Sequence, residues 1–165
     1  MADEASHQGL KNICAMLADE EVKHLQVVEN MEKHHKNTQI TDVPVLHRAK
    51  EIFSTMKKAG DETVFGENEL ELYRKASRIE EESEKFYREK QKQSADKTEQ
   101  KIFKLLADEE HKHFLLVDNI AELVEKPDNF LENAEMYRFD DYAGGVFWGD
   151  IKTDWKKAGL PAESS

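Results

Sequence analysis

Apolar residues recur along most of this chain at steps of three and four, the period of a helix that buries one face. Over about 6–36, with Ser6 placed to cap the start, the stripe runs Leu10, Ile13, Cys14, Leu17, Leu25, Val28 and Met31. A linker at 37–43 follows, and Pro44 suits the first turn of a shorter helix that reaches Ala59 and stops at Gly60. After a turn-rich connection, a third helix is expected over 67–94, with Leu72, Ala76, Ile79, Ser83, Phe86 and Tyr87 along one side. A fourth starts near Asp96, carries Ile102, Phe103, Leu106, Phe114, Val117, Ile120 and Val124, and ends before Pro127. The remainder, 128–165, is rich in aromatic residues and broken by Gly144-Gly145. It reads as one short helix and an irregular strap over the bundle, ending in a disordered tail. The pattern is that of an all-α antiparallel helical bundle in 1–126 with a C-terminal extension at 127–165.

Charge interrupts the apolar stripe at matching places. The stretch 17–24, LADEEVKH, returns at 106–113 as LADEEHKH, identical in every position but one at a constant offset of 89 residues. Each copy holds a Glu and a His three residues apart, Glu21/His24 and Glu110/His113. Three helical steps turn about 300° and rise about 4.5 Å, so both side chains leave the same face. Both pairs fall where the stripe calls for leucine, and in the third helix the same counting turns Glu80 inward. An unpartnered carboxylate in an apolar interior costs on the order of several kcal/mol, so five inward ionisable groups need compensation. Lys23 and Lys112 fall on the outward sides of their helices. Two divalent cations would neutralise the three carboxylates, and neutral imidazoles would complete their shells. Duplicated Glu-x-x-His on facing helices is how a bundle holds two metal ions. The oxygen and nitrogen donors, without thiolate, suit iron or manganese and accept zinc.

Composition narrows the setting. Charged residues make up 36% of the chain and glycine and proline are few, which favours long amphipathic helices over sheet. A net charge of −11 argues against nucleic-acid partners and anionic membrane surfaces. The single cysteine, Cys14, rules out an intrachain disulfide and a CxxC metal site, and fits a reducing compartment. No apolar run reaches membrane-spanning length, and the N-terminal MADEASHQG is too polar for a signal peptide. A cytoplasmic protein is expected.

Other residues compete for these roles. Glu-x-x-His also occurs at Glu4/His7 and Glu32/His35, near helix ends where solvent is expected. Glu20 and Glu109, one step off the stripe, are expected at the surface or just outside the ligands. His34, His35, His47 and His111 are expected as surface histidines, and Cys14 as a small core residue. Tyr87, seven residues after Glu80, is either a hydrogen-bond donor beside the ligands or a core tyrosine.

The segment 76–87, ASRIEEESEKFY, followed by Ile102-Phe103 and by LADEEHKH, resembles the diiron domain of rubrerythrin, a ferritin-like four-helix bundle. The resemblance covers about 1–126 and is specific in its second half. The segment 126–135, KPDNFLENAE, is also similar to a tail found in some rubrerythrin-like proteins. The resemblance implies two iron ions bridged by Glu21 and Glu110, with His24 and His113 as terminal ligands and Glu80 as the carboxylate of its own helix. Members with a further Glu three residues after that position have Ser83 here. The implied activity is reduction of hydrogen peroxide with oxidation of Fe(II), the oxidant being hydrogen peroxide or O2. The four-cysteine rubredoxin module is missing, so a separate electron donor such as a rubredoxin-type protein is implied. Two other readings stand beside this one: ferritin-like iron handling without peroxidase turnover, and a metal-free interaction bundle.

The front of the chain departs from the family pattern. At the 89-residue offset the counterpart of Glu80 would precede Met1, so the first bundle helix is expected to be missing. A truncated start, a helix supplied by a partner chain, or a decayed site would each produce this, and the truncated start is the expected one. Glu51 is then a candidate replacement ligand. A missing helix also exposes apolar surface, from which a homo-oligomer is expected.

Overall fold

The computed structural model describes residues 7–33, 45–59 and 65–127. They form four helices, α1 (Gln8–Glu32), α2 (Val45–Ala59), α3 (Glu67–Gln93) and α4 (Lys97–Glu125), with no strand among the described residues. None of these helices is long and apolar enough to cross a membrane. The strap expected over 128–165 and the linker at 37–43 lie outside the described residues.

Local chemistry sets the helix starts. His7, rather than Ser6, caps α1, its Nδ1 accepting the Gly9 N–H at 2.9 Å. Asp96 caps α4 by accepting from the N–H groups of Thr98 and Glu99 at 2.7 and 3.0 Å, and these bonds hold its carboxyl below the usual range. Only three residues, 94–96, separate α3 from α4, so the two helices fold back as a hairpin. Their pairings show the direction: Arg74 meets Asp118 and Glu125, Glu84 meets His111, and Arg88 meets Asp108. Partners descend on α4 as they ascend on α3, which makes the pair antiparallel.

The apolar core gathers at one end of the bundle. Leu10, Ile13, Cys14 and Leu17 of α1 meet Leu116, Val117, Ile120, Ala121 and Val124 of α4, with Tyr73 and Ala76 from α3. Helix α2 lays Val45, Leu46, Ala49, Phe53 and Met56 into the same cluster. Gly9 lets α2 approach closely, since a Cβ there would stand 2.9 Å from Ile52 Cγ2. Burying each large aliphatic side chain contributes roughly 1.5–3 kcal/mol, so this end carries most of the hydrophobic stabilisation.

Three residues of the expected stripes sit elsewhere. Leu25 of α1 and Ile79 and Phe86 of α3 are exposed, as is Val22. Helical period identifies an apolar flank, but burial needs a neighbour on that flank, and no described helix supplies one here. Replacing Ile120 by alanine is expected to cost about 2–5 kcal/mol in urea unfolding. Ile79→Ala is expected to change the stability by less than about 0.5 kcal/mol, although both positions lie on apolar stripes.

Candidate metal centre

Helix α1 runs antiparallel to α4, and that register sets the two LADEE segments side by side. His24 Nδ1 stands 2.9 Å from Glu110 Oε1, and His113 Nδ1 stands 3.0 Å from Glu21 Oε1. Each Glu of one segment therefore meets the His of the other. The two imidazoles stack between the pairs, their centroids 5.4 Å apart and their planes 17° from parallel. One donor atom from each of Glu21, His24, Glu110 and His113 lies within 4.8 Å of the other three. These four were all expected from the sequence.

Glu80, the fifth expected ligand, is buried on α3 just outside this group, its Oε2 3.8 Å from His113 Nδ1. Tyr87 stacks on Phe103 at 6.3 Å with Phe86 edge-on at 5.4 Å, and its hydroxyl is close enough to feel the charges of Glu110 and Glu21.

The electrostatics follow from burial and crowding. Burial alone would raise the Glu21 carboxyl, but the hydrogen bond from His113 and the charges of His113 and His24 hold it below the usual value. Burial opposes charge on His24 as well, yet Glu110, through its hydrogen bond and its charge, and then Glu21 and Glu109 raise it. Glu80 is pushed well above the usual carboxylate range by burial, and then by Glu110 and Glu21 beside it. Tyr87 is pushed up to about 12 by burial and the same two acids.

The lysines of the repeat do not tie off these acids. Lys23 donates to Glu20 at 2.7 Å, and Lys112 donates to Glu109 at 2.6 Å. Glu20, Glu109 and Lys112 are all buried, so the two acids do not take the surface position that was one of the two expected of them, and Lys112 departs from its expected outward side. An i, i+3 pair on one helix neutralises itself, which lets the stems pack inward. The position at which the repeats differ also separates: His111 pairs with Glu84 of α3 at 2.7 Å, while Val22 is exposed.

The remaining alternatives fall away from the site. Glu32 is exposed, and Glu51 is exposed on α2 with His47 3.5 Å away and is not among the four clustered donors. His7 is the α1 cap, and Cys14 is buried beside Tyr73, its thiol pushed up chiefly by burial. Glu4, His34 and His35 lie outside the described residues.

Three atoms test whether a cation fits. Among the described residues, the buried side-chain atoms without a hydrogen-bond partner are His24 Nε2, His113 Nε2 and Glu110 Oε2, all in this cluster. Each such orphan costs about 1–3 kcal/mol, a burden no other part of the described molecule carries. Two ligands roughly 2.1 Å from one octahedral ion and about 90° apart stand about 3.0 Å from each other. That is the spacing of both crossed pairs. A divalent cation can take the place of the proton now shared within each pair and can engage the free Glu110 Oε2, so the Nδ1 and carboxylate donors fit a metal.

Compared with family models, with curated proteins and with solved structures, the chain finds no match in any of the three.

Glu110→Ala is expected to abolish binding of Fe(II) or Zn(II) in calorimetric titration, whereas Glu32→Ala leaves it unchanged. Equal behaviour of the two variants would contradict the assignment. A pH dependence is expected in the metal-free protein. Above the ordinary carboxylate value of 4.5 the unfolded chain has released the Glu80 proton while the folded chain keeps it, so stability falls as pH rises. His24, raised from 6.5, acts in the same direction at higher pH. Urea midpoints should drop between about pH 5.5 and about pH 8, and Glu80→Gln should flatten most of that slope.

Proposed function

We propose that this chain is a rubrerythrin-like non-haem diiron oxidoreductase with a ferritin-like bundle, reducing hydrogen peroxide or oxidising Fe(II) with it. The crossed pairs Glu21–His113 and His24–Glu110, with their three orphaned buried atoms, carry this reading. Glu21, His24, Glu110 and His113 would hold two ferrous ions, which when bound would supply the two electrons needed to cleave a peroxide bond. Manganese or zinc would occupy the same donors without that redox role.

The chain's own residues shape the reaction. Glu21 and Glu110 place negative charge at the centre and so favour the oxidised metal. His24 and His113 offer neutral nitrogen, and their stacking on two antiparallel helices keeps the rings in register. Glu110 and His113 are almost fully enclosed, which excludes bulk water from their side. Glu80, buried on α3 with its Oε2 3.8 Å from His113 Nδ1, would add a third carboxylate on that side. Tyr87 and Phe103 close the same side with stacked rings.

A separate electron donor, for which a rubredoxin-type protein is the natural candidate, would complete the reaction. Exposed Val22, Leu25, Ile79 and Phe86 support association of copies into a homo-oligomer. A reducing, cytoplasmic setting agrees with the lone buried thiol. Ferritin-like iron handling is the second reading, favoured by the openness of Glu21 to solvent.

Iron-loaded protein is expected to consume peroxide repeatedly when supplied with a reduced rubredoxin-type donor, and Glu110→Ala to lose that turnover. A single stoichiometric oxidation of Fe(II), with no further peroxide consumed, would instead select the iron-handling reading.

A further inference from the structure

The chain carries a net charge of −11, yet positive charge collects along one side of the α3–α4 hairpin. Lys85, Arg88 and Lys92 follow one another on α3 at steps of three and four, and Lys97, Lys101 and Lys104 do the same on α4. Such steps place each trio on one side of its helix. Asp108 joins the trios, accepting from Arg88 at 2.6 Å and from Lys104 at 2.7 Å, so they flank a single seam. The five lysines are exposed. Glu81 holds Lys85 and Glu84 also holds Arg88, whereas Lys92, Lys97 and Lys101 have no ion pair among the described residues. Helix stability does not account for the last two. Lys97 opens α4, where a cation opposes the helix dipole, and Lys101 repels it from one turn on.

We propose that this seam is the docking face of an acidic one-electron carrier protein. This rests on the oxidoreductase reading above and adds the charge of the donor and the place where it binds. The seam lies close over the centre. Glu84, which holds Arg88, also meets His111 at 2.7 Å, and His111 is next in the chain to Glu110. A carrier seated on Arg88 is thus one side-chain contact from a residue adjoining the metal donors. Because the rest of the chain is strongly acidic, an acidic carrier is repelled elsewhere and steered to the seam. Exposed Ile79 and Phe86 fall on the other flank of α3, so association of copies there leaves the seam free. Converting one hydrogen peroxide and two protons to two waters takes two electrons. Two reduced carriers therefore arrive in turn, each leaves oxidised by one electron, and two ferric ions return to ferrous.

The test is a titration of a zinc-substituted acidic rubredoxin, labelled for nuclear magnetic resonance, with the full chain, so that binding is read without turnover. The probe should bind at about 20 mM salt and lose about tenfold in affinity by about 200 mM. Lys92→Glu combined with Lys101→Glu should weaken binding by about tenfold or more at low salt. Arg48→Glu combined with Lys58→Glu, the same change in net charge at exposed positions of α2, should alter it by less than about twofold. All four positions are exposed, and far-UV circular dichroism checks that the helices persist. Equal losses in the two double variants would overturn the inference, since only bulk charge would then matter. A change in sedimentation of the chain alone on Lys92→Glu with Lys101→Glu would overturn it too, by assigning the seam to a second copy. A chain that takes up iron but ignores the probe would overturn the inference and spare the metal reading. A chain that takes up no metal would overturn both.

Discussion

The antiparallel register of α1 against α4 is the constraint on which the rest depends. A slide of one helical turn would separate His24 from Glu110 and His113 from Glu21 together, because both pairs obey the same offset. Buried His24, Glu110 and His113 would then lose their partners in the interior, each at the desolvation cost of an unpaired polar group. The repeat is thus more than a duplicated ligand motif. It makes the register self-consistent, since satisfying one pair satisfies the other.

That arrangement is tolerable because the two ends of the bundle do different work. From Leu10 to Leu17 on α1 and from Leu116 to Val124 on α4, the contacts are aliphatic and are closed over by α2. Along the same two helices, from Glu20 to His24 and from Asp108 to His113, the buried groups are almost all charged or polar. Self-contained pairs such as Glu109–Lys112 keep the charged end from being uniformly acidic. The aliphatic end supplies stability, and the polar end holds groups whose hydrogen bonding is left incomplete.

Much of this was legible in the chain. Helix bounds came within four residues wherever they are described, and the four clustered side chains followed from a repeat lying on an apolar stripe. The failures share a physical origin. Leu25, Ile79 and Phe86 satisfy the helical period but lack a neighbour, and period alone carries no information about neighbours. Lys112 was expected to face outward because its charge was counted singly, whereas Glu109 neutralises it three residues away on its own helix. Ser6 lost the cap to His7, since an imidazole nitrogen accepts an N–H as well as a hydroxyl does.

The three-residue joint between α3 and α4 has a kinetic meaning. Contacts across that hairpin are near in sequence at its closed end, and Asp96 starts α4 without help from elsewhere. The crossed pairs instead join residues 86 and 92 positions apart. Local contacts close quickly, and distant ones wait on loop entropy. The hairpin therefore assembles first, and α1 arrives last with half of the donors. Capture of a cation by the four clustered side chains would then be a late event, and bound metal would report that the chain has finished folding.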